Sequence, residues 1–84
     1  MPHVRILADS LSSKCKFVVG DTSGGKELEV ADAETDEICA ENVKKEKPDA
    51  TGATWKPSSK QCWAEYGNGV DSSSTDYRTC LFQG

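Results

Sequence analysis

A chain of 84 residues, 36% hydrophobic and 7% aromatic, has room for one domain and only a thin core. Its net charge of −4, from 14 acidic against 10 basic residues, lacks the basic footprint that nucleic acid or an anionic membrane surface demands. No window approaches membrane-spanning length, which argues against membrane insertion.

The N-terminal MPHVRILADS holds a short apolar run, Val4 to Leu7, interrupted by Arg5 and followed by Asp9. That is no signal peptide. Residues 1–9 read as an edge strand or a tail, and the chain as a mature domain with an added methionine or a piece of a longer protein. SLSSK marks a turn. CKFVV, Cys15 to Val19, is β-rich and predicts a strand. GDTSGGKE is dense in Gly, Asp and Ser and reads as a loop, with a short extended piece at Leu28 and Val30.

A helix is predicted over residues 35–46. Asp32 or Thr35 can cap its start by accepting backbone N–H bonds. Glu34, Asp36 and Glu37 crowd the first turn, and Lys44, Lys45 and Lys47 the last, each sign matching the helix dipole. Pro48 stops it. Cys39 and Val43, four apart, share a face with Ile38 beside them, while Glu41, Asn42, Lys45 and Glu46 can face water.

Strands follow at Ala53–Trp55 and Gln61–Tyr66, joined by a KPSSK turn. In the second, Cys62, Ala64 and Tyr66 alternate with Gln61, Trp63 and Glu65. GNGVDSSST reads as a long polar loop. The last strand, Asp76–Phe82, sets Tyr77, Thr79 and Leu81 opposite Arg78, Cys80 and Phe82. The order predicts an α+β domain: a small antiparallel sheet of about five strands with one helix on one face.

Four isolated cysteines in a short chain read as a disulfide framework in an oxidising compartment. Zinc sites use CxxC or paired histidines, and the single histidine here is His3. Of three possible pairings the nested one suits the topology. Cys39–Cys62 would pin the helix to a central strand, and Cys15–Cys80 would tie the first main strand to the last.

The strand cysteine, the capped helix TDEICAENV, the strand CWAEYG and the final YRTCLF together resemble the PAN/apple domain, over roughly residues 14–82. The match is to a four-cysteine variant, with Val43 where a second helix cysteine can stand. The resemblance implies a disulfide-stapled antiparallel sheet crossed by one helix, and extracellular recognition of proteins or carbohydrates.

Catalysis finds no support: no GxSxG, HExxH or P-loop pattern occurs, and the carboxylates sit where capping and solubility explain them. No cofactor is expected. Trp55, Trp63, Tyr66 and Tyr77 are the binding candidates, since tryptophan and tyrosine dominate interface hot spots. Trp63 lies opposite Cys62. If Cys62 faces the helix, Trp63 and Glu65 look away from it, with Arg78 near on the last strand. Trp63 could instead cover the back of the sheet, and Trp55 could be core beneath the helix. Asn68, Asp71 and Asp76 in the polar loop offer oxygens for calcium, but without EF-hand spacing, and a solvated loop is the preferred reading.

The expected function is a secreted, non-catalytic module binding a glycan or an extracellular protein. Two alternatives stand beside it: an inhibitor or toxin-like effector acting on a protease or receptor, and an adhesive matrix module from a tandem array.

Overall fold

The computed structural model describes residues 15–82. The chain forms β1 (Val18–Val19), β2 (Asp21–Ser23), β3 (Glu27–Val30), α1 (Asp36–Glu46), β4 (Gly52–Lys56), β5 (Gln61–Glu65), β6 (Gly69–Asp71) and β7 (Arg78–Leu81). Five of the strands make one antiparallel sheet in the order β1-β7-β4-β5-β3. The helix lies on one face. The expected α+β architecture is therefore present. The edge strand or tail expected over residues 1–9 and the terminal Gln83–Gly84 fall outside the described residues.

The helix starts where its cap dictates. Thr35 is extended, with φ −137° and ψ 164°, and its hydroxyl accepts the Ile38 N–H at 3.2 Å. Asp32 is not the cap. Lys47 leaves helical angles just before Pro48, while its N–H still reaches the Val43 carbonyl at 2.7 Å. Cys39, Ala40 and Val43 are the buried residues of α1. Ile38, expected beside Cys39, is 40% exposed, so the small Ala40 takes the place against the sheet. Asn42 donates to the Ala31 carbonyl at 3.2 Å and so fastens the chain leaving β3 to the helix flank.

Both predicted disulfides are formed. Cys39–Cys62 joins helix to sheet, and Cys15–Cys80 ties the segment before β1 to β7. The core they staple is sparse. Its buried apolar residues are Val30, Ala33, Cys39, Ala40, Val43, Ala53, Trp55, Cys62, Ala64 and Cys80, so only the two valines and the tryptophan are large apolar side chains. Cys62 was expected on a central strand, but the middle of the sheet is β4, with β5 beside it.

The two polar loops are not loops throughout. Asp21–Ser23, within GDTSGGKE, and Gly69–Asp71, within GNGVDSSST, pair as an antiparallel ribbon. Thr22 pairs with Val70 and Asp21 with Asp71. This ribbon lies across the sheet face opposite the helix. The Thr22 and Thr54 hydroxyls meet at 3.1 Å, and Thr54 meets Thr79 at 2.8 Å. The molecule thus has three layers: helix, sheet and ribbon. The helix side is an apolar core, and the ribbon side is a polar one built on Thr54, Thr79 and Glu65, all buried.

Gly20 is the pivot where the chain leaves the main sheet to cross its back. Its φ of +137° is a conformation L side chains rarely adopt. Its N–H donates to the Tyr77 carbonyl, and its carbonyl accepts from the Thr79 hydroxyl, both at 2.8 Å. A Cβ at this position would lie 2.7 Å from the Asp71 carbonyl oxygen and 2.8 Å from a Val70 methyl. Gly20→Ala is expected to cost at least ~2 kcal/mol from strain and overlap together. In a domain this small that lowers the melting temperature by about 8 °C or more, measured by circular dichroism.

Candidate functional site

The register decides which candidate residues meet. Across the back face, Glu29, Trp63, Thr54 and Thr79 form one row. Across the helix face, Val30, Cys62, Trp55 and Arg78 form another. Trp63 is therefore away from the helix, as the alternation of β5 predicts. Arg78 is not beside it: it occupies the opposite face, at the register position of Trp55, and is exposed.

Trp55 is core. It is 9% exposed, and its indole N–H donates to the Ala33 carbonyl at 2.9 Å. The Lys60 ammonium lies 5.5 Å from its ring centroid. This is the structural role of a buried tryptophan whose polar edge has found a backbone partner.

Trp63 is only half-buried. It meets the ring of Tyr77 edge to face, with centroids 5.9 Å apart and planes at 67°. Tyr77 is also half-buried, and the Lys56 ammonium stands 5.6 Å from its centroid. Beside Trp63 on β5, Gln61 donates its amide N–H to Glu29 at 3.2 Å and accepts from the Ser59 hydroxyl at 2.8 Å. Two aromatic rings fixed against each other, with a carboxylate, an amide and an ammonium around them, make a patch on one end of the back face. Aromatic faces offer area at low entropic cost, and the polar groups set orientation. Tyr66, the fourth aromatic candidate, is held apart by the Asp49 carboxylate, which accepts its hydroxyl at 3.0 Å.

Glu65 does not belong to that exposed patch. It shares the back face with Trp63, but it is 2% exposed, closed off from solvent where the ribbon crosses. Burial is the main force raising its carboxyl to about 8, and a hydrogen bond to Glu27 adds to this. A hydrogen bond from Thr54 works the other way, and the like charges of Glu27 and Asp21 raise it further. Glu27 stands directly opposite Glu65 in the β3–β5 register. At neutral pH Glu65 is thus a protonated acid donating to Glu27. Its Oε2 atom is buried without a hydrogen-bond partner.

Asp71 and Asp76 belong to no group of three or more possible metal ligands among the described residues. Asp71 is exposed on β6, where its carboxylate accepts the Ser73 N–H at 3.0 Å and the Ser73 hydroxyl at 2.6 Å. These bonds hold it below the usual carboxylate range. The carboxylates that the fold does bring together are Asp21, Glu27 and Glu65, whose oxygens lie within 4.8 Å of one another. Sequence reasoning missed Asp21 and Glu27. The signal was the register: once β3 pairs with β5, Glu27 must face Glu65.

Comparison with protein-family models, curated proteins and solved structures finds no match to this chain. No helix among the described residues is long and apolar enough to cross a membrane.

Proposed function

We propose that this chain is a secreted, non-catalytic recognition module that binds a carbohydrate or an extracellular protein through Trp63 and Tyr77. The half-exposed, edge-to-face ring pair flanked by Glu29, Gln61 and Lys56 carries the reading. A module needs a rigid scaffold under such a patch, and the stapled helix-on-sheet architecture supplies one. Two disulfides in so small a domain support an extracellular setting. The architecture also supports the PAN/apple-type reading of the cysteine order.

The test is binding of the labelled, oxidised domain to a glycan array and to extracellular proteins, with Trp63→Ala alongside. A hot-spot tryptophan is worth at least ~2 kcal/mol, so the variant should lose binding by about thirtyfold while keeping its circular dichroism spectrum. A folded variant that binds like the wild type would remove the patch as the site. Tryptophan fluorescence gives an independent check. A ligand at the patch should protect Trp63 from a soluble quencher, while Trp55, already buried, stays unquenched with or without ligand.

A second reading, an inhibitor of a protease or receptor, draws on the ribbon. Both polar segments that such a molecule would present are ordered by β2–β6 pairing. In that case substitutions at exposed Ser72, Ser73 and Thr75, and not at Trp63, would abolish target binding.

A further inference from the structure

We propose that Asp21, Glu27 and Glu65 bind a calcium ion that fastens the β2–β6 ribbon to the main sheet. The three come from β2, β3 and β5, so the site forms only when ribbon and sheet are docked. Their ligand oxygens lie within 4.8 Å of one another. Calcium takes oxygens at about 2.3–2.6 Å, so pairs up to about 5 Å apart can surround it, whereas magnesium at about 2.0–2.1 Å requires a tighter set. The donors are all carboxylate oxygens, with neither imidazole nor thiolate, which is a hard-cation set and not a zinc one.

A second observation points to a ligand independently of this clustering. Glu65 is buried at 2% exposure, and its Oε2 has no hydrogen-bond partner. An orphaned carboxylate oxygen in a closed site is costly. The charges acting on Glu65 are those of Glu27 and Asp21, both negative. A divalent cation would satisfy the orphan and the repulsion together. The other groups are free enough to join it. Asp21 turns one oxygen to the Thr22 N–H at 2.8 Å, which leaves the second available, and Glu27 is exposed, so the ion has a route from solvent. Water would complete the shell.

The experiment uses the oxidised 84-residue chain, stripped with chelator, at mildly alkaline pH. Calcium is titrated by calorimetry, and thermal melts are run with calcium, magnesium or chelator. The expected dissociation constant is on the order of 10⁻⁴–10⁻³ M, the range of extracellular modules, with a higher melting temperature in calcium. Glu27→Gln, at an exposed position, and Asp21→Asn should each weaken calcium binding at least about tenfold. Asp71→Asn, across the ribbon, should bind as the wild type does. Absence of both heat and melting shift in the wild type at millimolar calcium would overturn the proposal. So would Glu27→Gln and Asp21→Asn variants that respond like the wild type. An equal response to magnesium would overturn the choice of calcium.

Discussion

Reducing both disulfides is expected to unfold this domain. The reason lies in what the core lacks. Four of its ten buried apolar residues are alanines and three are cysteines, and alanine contributes little burial. The staples close loops with sequence separations of 65 and 23. On the chain-entropy model such loops are worth about 4.4 and about 3.5 kcal/mol, not additive here because one nests within the other. Either figure rivals the total stability of a small domain, about 5 kcal/mol. The two differ in access. Cys39 and Cys62 are fully buried between helix and sheet, whereas Cys15 is only half-buried. A thiolate reductant must reach a sulfur, so Cys15–Cys80 is expected to open first, leaving a destabilised but folded species, and Cys39–Cys62 to open only with global unfolding. Mass spectrometry of alkylated intermediates together with circular dichroism checks this. A fully reduced protein with a native spectrum would defeat the prediction, and early alkylation of Cys39 would defeat the order.

The same feature explains why the disulfide pairing could be read before any coordinates. A cysteine on the sheet-facing side of the one strong helix needs a partner on the sheet, and β5 carries one in the right alternation. Helix limits were equally legible, because Thr35, the charge gradient and Pro48 are local signals. The ribbon was not. Asp-Thr-Ser and Gly-Val-Asp are too short and polar to show a strand period, and their pairing joins segments far apart in sequence. With the ribbon unseen, the back face looked solvent-exposed, and Glu65 was placed beside Trp63 as a surface group. Arg78 was misplaced for a simpler reason: its face depends on the β4–β7 register, which no single strand reveals. Trp63 itself was located correctly, since its face follows from Cys62 by alternation alone.

Stability is expected to fall as pH rises above the ordinary carboxylate range, and Glu65 is the cause. Its folded-state value is raised from 4.5 to about 8, chiefly by burial and then by the hydrogen bond to Glu27. A group raised on folding holds a proton that the unfolded chain has released, so the folded state is penalised progressively between about pH 4.5 and about pH 8. The slope approaches about 1.4 kcal/mol per pH unit in the middle of that window. Above it, folding must bury a carboxylate whose charged neighbours, Glu27 and Asp21, are also negative. In chelator, the melting temperature should therefore be highest at mildly acidic pH and drop steadily towards pH 8.5 or so. The comparison is made in a His3→Gln background, so that no histidine is present. There, Glu65→Gln keeps the shape, supplies a neutral donor to Glu27 and removes the titration. It should flatten the profile and exceed the parent in stability at alkaline pH, although it takes away a native carboxylate. A parent profile already flat across the window, or a Glu65→Gln profile with the parent's slope, would show that the proton is not held there. Excess calcium offers the converse: an ion bound by these three carboxylates takes over the proton's role, so the alkaline loss should shrink in the parent and not in the variant.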